Sequence, residues 1–174
     1  MSKTYEVKMG MVEGSDSHRS KLPVLPIVPE VPDILGEELA RRGWSVSGGV
    51  ASKRFGGATA EVELATGDVE LKAKAEVELV GRGYDVEDNE ERGKRTARKD
   101  GESRRKAVQE QAREKAQRAM LDVSEDVRAE TLAALRDTNV RALRVKARSI
   151  GVVESESDGT NQRGEREFKI KIRV

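Results

Sequence analysis

The densest run of chemistry-bearing side chains in this chain is basic: Arg92, Lys94, Arg95, Arg98, Lys99, Arg104, Arg105 and Lys106 stand against only Asp100 and Glu102. A local field of that sign can neutralise phosphates, which makes the segment a candidate nucleic-acid contact. Three features favour a solvated or protein-facing segment instead. No aromatic residue interleaves for base stacking, an acidic run (Asp85, Glu87, Asp88, Glu90, Glu91) precedes it, and Glu110 and Glu114 follow it.

Residues able to do catalysis or hold metals are scarce. His18 is the sole imidazole and lies among Ser15, Asp16, Ser17, Arg19 and Ser20, the setting of a solvated loop rather than of a base or ligand. With no cysteine there is no disulfide, thiol nucleophile or thiolate metal site, and zinc loses its usual ligands. A calcium loop starting at Asp85 would need Gly where Glu90 stands and Glu where Thr96 stands. Gly81-Arg82-Gly83 lacks the third glycine of a dinucleotide fingerprint, at Val86. Ser103-Arg104-Arg105-Lys106 fits an SxxK pattern without its companion motifs, and Ser103 reads more simply as a helix cap. Glu61, Glu63, Glu76 and Glu78 alternate with apolar residues, as the solvated face of a sheet does. The sequence therefore predicts no enzyme, no cofactor, no metal and no small-molecule substrate.

A second signal is apolar. All four prolines, Pro23, Pro26, Pro29 and Pro32, lie three apart in the stretch 22–32, the period of a polyproline II turn. Val24, Leu25, Ile27, Val28 and Val31 make that stretch too apolar to be left in water. Either it straps across the chain's own body, the preferred reading, or it offers Pro23, Pro26, Pro29, Leu25 and Ile27 to an aromatic groove on a partner.

The elements that must position these residues follow from periodicity. Tyr5, Val7, Met9 and Met11 alternate as a strand, and Gly14 to Ser20 reads as a polar loop. Asp33 is placed to cap a short helix with Ile34, Leu35 and Leu39, stopped by Gly43. Trp44 opens a strand that runs to Phe55, and Val62 and Leu64, then Val69 to Leu79, alternate as two strands joined at Thr66-Gly67-Asp68. Residues 85–101 read as a charged loop. Residues 102–150 read as a helical block of two helices, the second capped at Ser124. The first half of that block shows Ala112, Ala116 and Ala119 where a self-sufficient helix would carry Leu, so it needs a close-packed partner, from this chain or another. A last hairpin, with a polar loop from Asp158-Gly159 to Gly164, ends in alternating Phe168, Ile170, Ile172 and Val174.

Charged residues reach 37% and aromatics only 3% over 174 residues, so the surface is large relative to the core. The expectation is one α+β domain, 1–174, with a mainly antiparallel sheet, one short helix and the long helical block, acting with a protein partner or as a homo-oligomer. A net charge of +1 removes any global drive toward nucleic acid or a membrane surface. Neither an apolar leader in Met1–Val7 nor a bilayer-length run is present, so the expected setting is cytoplasmic, with no membrane contact.

The order of elements carries one resemblance: a strand, a short helix ending in Gly43-Trp44, a hairpin, a helical region, and a terminal hairpin with an Asp-Gly turn. It resembles a family of small conserved α+β proteins of plastids and cyanobacteria. In other bacteria that family is found as domain X of ternary operons with an FtsH-like AAA+ ATPase. The resemblance covers element order rather than a motif. It implies a non-enzymatic partner of an ATPase and assigns no functional residue.

Overall fold

The computed structural model describes residues 3–85, 89–161 and 163–173, so Val86, Glu87 and Asp88 of the acidic run and Val174 of the last strand lie outside the described residues. The elements in chain order are β1 (Lys3–Lys21), α1 (Val31–Arg41), β2 (Ser45–Ser47), β3 (Val50–Phe55), β4 (Ala58–Glu63), β5 (Asp68–Asp85), α2 (Glu90–Ile150), β6 (Val152–Thr160) and β7 (Arg166–Arg173). Hydrogen-bonded neighbours run β1-β5-β4-β3-β2 in a five-stranded sheet, and β6 pairs β7 in a second; both sheets are antiparallel. The fold is α+β.

Several local expectations change. The strand expected from Trp44 to Phe55 is two strands, β2 and β3, paired antiparallel with Val46 opposite Ala51, because Gly48 and Gly49 at φ of +58° and +80° turn the chain back. The polar stretch from Gly14 to Ser20 continues β1 rather than looping, because β5 beside it is long enough to ladder it, and pairing outweighs the weak β propensity of Ser and Asp. Most of the expected charged loop 85–101 is helical, since α2 starts at Glu90. Asn89 Oδ1 accepts the Arg92 N–H at 3.1 Å, and Glu90 and Glu91 sit where the helix dipole favours acids. The helical block expected as two helices is a single helix of 61 residues. Ser103 and Ser124, read as caps, donate back to the carbonyls of Asp100 and Leu121 at 2.7 and 2.9 Å. A serine hydroxyl serves either role, so its presence alone does not mark a helix start.

Near α1 the local chemistry matches its sequence. The helix begins at Val31 with Pro32 in its first turn, where a missing N–H costs nothing, although no side chain caps it and Asp33 lies inside the first turn. It ends at Arg41, and two residues on Gly43, whose φ of +80° suits glycine, turns the chain while its N–H donates to the Ala40 carbonyl at 2.9 Å. In the terminal hairpin the strands pair through Thr160 and Arg166, so the reversal comes later than Asp158-Gly159. There Asn161 Oδ1 accepts the N–H groups of Arg163 and Glu165, each at 2.9 Å.

The chain divides into two compact units. The first comprises residues 1–18, 54–59 and 71–125. Its part of α2 buries Gly93, Ala97, Gly101, Val108, Ala112, Ala116 and Met120 at near-fourfold spacing. Glycines on both sides let helix and strands close up: a Cβ on Gly14 would strike the Ala112 and Arg113 backbone, one on Gly81 the Ala97 carbonyl, and one on Gly93 the Tyr5 ring. Backbones this close gain dispersion contact along their length, which is how an Ala-lined helix is held with little apolar area per side chain.

The second unit comprises residues 19–53, 60–70 and 126–174. Its core gathers Val31, Leu35, Leu39, Trp44, Ala51, Val62 and Leu64 with Val127, Ala134, Leu135 and Ala142 of α2. Thr131 and Thr138 share that buried face because their hydroxyls donate to Val127 and Ala134 carbonyls, both at 2.8 Å.

Candidate functional site

The proline stretch docks through its branched side chains. Val24, Ile27 and Val28 pack against Val31, Ile34 and Ala142 of the second unit. Pro23, Pro26 and Pro29 are exposed, and Leu25 is 52% exposed. It is not a straight polyproline II turn. Val24 N–H donates to the Leu22 carbonyl and Ile27 N–H to the Leu25 carbonyl, both at 2.8 Å, closing two three-residue turns centred on Pro23 and Pro26. Proline's fixed φ suits such turns. The strap is thus internal on one side and presents a proline-framed leucine on the other.

Beside α1 lies an open cleft of about 370 Å³ lined by Arg41, Arg136, Arg141, Arg144 and Arg166, by Glu38, Asp137, Asp158 and Glu167, and by Val140 and Phe168. Its anchor is Glu38, whose side chain is only 5% exposed. Glu38 accepts from Arg41 at 2.9 Å, from Arg141 at 2.8 Å and from Arg42 at 3.3 Å. Arg42 also bonds Asp137, and Arg141 bonds Glu37 at 2.7 Å. The Glu37 contact raises the Arg141 guanidinium above its ordinary value, with Glu38 adding to it, and holds Glu37 below the usual carboxylate range. On the other wall Arg144 lies 5.3 Å from the centre of the Phe168 ring and donates to Glu156 at 2.8 Å, fastening α2 to the terminal hairpin.

A second carboxylate, Glu130, ties the Trp44 indole N–H at 3.0 Å and the Lys53 ammonium at 2.6 Å to α2, while Lys53 also donates to the Arg42 carbonyl at 2.7 Å. The sequence marked Trp44 as the start of a strand and none of these residues as part of a site. Glu38 carried a signal: it falls four residues after Ile34 and three after Leu35, on the apolar face of α1, where a carboxylate requires partners. Chemically the cleft is nearly self-neutral. Glu38, Asp137 and Asp158 are engaged by guanidiniums and Glu167 by the Lys169 ammonium at 2.8 Å.

The remaining candidates fall elsewhere. Ala112 and Ala116 are fully buried in the first unit and Ala119 is half-buried; Gly14 of β1 closes on Ala112 and Gly57, in the β3–β4 turn, on Ala119, so the chain itself supplies close-packed partners for both. Arg92, Lys94, Arg95, Arg98, Lys99, Arg104, Arg105 and Lys106 are all exposed on the first turns of α2. Lys94 pairs with Glu90, Arg104 with Asp100 at 3.7 Å, and Arg92 approaches Asp85 at 4.0 Å. His18 is exposed on β1, and among the described residues no three acidic or histidine side chains converge as a metal site. No helix among the described residues is long and apolar enough to cross a membrane.

The chain matches no curated protein and no solved structure. Over residues 1–174 it matches the family model described as FtsH ternary system domain X5.

Proposed function

Since this chain belongs to the FtsH ternary system domain X5 family, we propose that it is a non-enzymatic binding and assembly subunit accessory to an FtsH-like AAA+ ATPase. The family match over the whole chain carries this reading. Two features of the second unit support it. The strap holds Leu25 out between exposed Pro23 and Pro26 while its other side is locked down, so little ordering entropy remains to be lost on docking. The Glu38 cluster is committed to ion pairs that brace α1 against α2, in keeping with a scaffold rather than a site awaiting a substrate.

The test is binding of the purified chain to the purified ATPase encoded with it, followed by calorimetry or interferometry, with the ATPase turnover recorded in parallel. Saturable binding that weakens at least tenfold for Leu25→Ser, with unchanged thermal stability of the variant, is the expected result. Wild-type binding by Leu25→Ser removes the strap from the interface, and no binding by the wild-type chain overturns the proposal.

A further inference from the structure

The first turns of α2 carry a charge distribution that the accessory role does not use. Arg95, Arg98, Lys99, Arg105 and Lys106 are exposed, and none has an ion-pair partner among the described residues. At 100° per residue they fall within about 120° of helix circumference over roughly 17 Å, on the side away from buried Gly93, Ala97, Gly101 and Val108. One acid, Glu102, stands in the middle of that arc. Asp100 is turned aside, accepting the Arg82 backbone N–H at 3.0 Å and facing Arg104. The ridge lies wholly within the first unit.

We propose that this ridge binds the phosphate backbone of nucleic acid without reading its sequence. The competing occupant of a cationic face is an acidic protein, and composition decides between them. Protein interfaces centre on apolar and aromatic anchors. The exposed side of α2 from Glu90 to Arg118 offers only Ala107 and no aromatic residue. Phosphate contacts need no such anchor: they are polar, draw on Arg and Lys, and take their free energy from released counterions. The missing aromatics also argue against base stacking, which leaves the backbone as the recognised element. The net charge of +1 keeps the attraction local, so the affinity belongs to the non-specific range of about 10⁻⁴–10⁻⁶ M at physiological salt.

The test is fluorescence anisotropy of a short labelled DNA duplex of mixed sequence, titrated with the full chain across a salt series. If about four phosphates are neutralised, affinity falls roughly a hundredfold between 50 and 200 mM salt. The combined substitution Arg95→Gln, Lys99→Gln and Lys106→Gln is expected to flatten that dependence and to weaken binding at low salt at least tenfold, with an unchanged melting temperature because all three side chains are exposed. Glu102→Gln is expected to tighten binding, and Lys171→Gln, which removes a charge on β7, to leave it alone. Two results overturn the proposal: no duplex binding at low salt, or wild-type binding by the triple variant. A third does so as well: if polyglutamate is bound as tightly as the duplex and is lost in the same variants, the ridge is a surface for acidic protein.

Discussion

At the scale of single residues, the tightest constraint is the meeting of α2 with the strands of the first unit. Gly81→Ala places a methyl group on the Ala97 carbonyl, which backbone movement alone can relieve. The expected loss is roughly 1–3 kcal/mol, read as a shift in the denaturant midpoint at constant slope. Titration sets a second expectation. Glu37 is exposed, and its hydrogen bond from Arg141 lowers its pKa from the ordinary 4.5. A depressed folded-state value means the stabilisation is present above the unfolded value and is lost as pH falls through the folded one. Stability should therefore decline below about pH 4.5, with a shallower decline in Glu37→Gln, measured by chemical denaturation across that window.

Elements add a different kind of test. Ile27 packs on the Val31, Ile34 and Ala142 cluster, whereas Leu25 is 52% exposed. Ile27→Ser should cost roughly 1–3 kcal/mol, because a half-buried branched side chain is exchanged for a hydroxyl with no partner. Leu25→Ser should leave the melting curve within about 0.5 kcal/mol of wild type. In α2, Glu130 joins Trp44 and Lys53 to the helix; Glu130→Ala should destabilise by about 1–2 kcal/mol through the lost charge-assisted bonds. Equal melting temperatures for the wild-type and Glu130→Ala proteins would show that the cluster adds nothing to folding.

For the whole molecule, the decisive fact is that neither compact unit is a continuous piece of chain. The second draws on 19–53, 60–70 and 126–174. A fragment of residues 126–174 keeps half of α2 and the β6–β7 hairpin. It loses Val31 and Ile34, which cover Ala142, and the buried Leu35, Leu39, Val62 and Leu64 of the same unit. Such a fragment should show no cooperative thermal transition by circular dichroism, since a lone helix half and a two-stranded hairpin are each marginal in water.

Much of this architecture is written in local pattern. Alternation at Val62, Leu64 and Val69 to Leu79, punctuated by Thr66-Gly67-Asp68, is enough to place β4 and β5, and Gly43 is enough to end α1, because side-chain period and backbone φ act over a few residues. The apolar strap had to dock somewhere for the same reason: water alone disfavours it. What tertiary structure decided is where a local preference is weak or two-valued. Ser103 and Ser124 fit a cap or a helix interior equally, and Gly14 to Ser20 fits a loop or a paired strand; long-range packing and pairing chose the second in each case. Ala112 and Ala116 signalled a close partner but not its identity. For Ala112 that answer lies in Gly14, almost a hundred residues away, which like Gly81 and Gly83 of β5 beside Ala97 lacks a side chain to a purpose that shows only once α2 lies upon it. The Glu38 cluster is of the same kind, for a buried carboxylate announces that it needs cations, and only the fold could bring Arg141 to it.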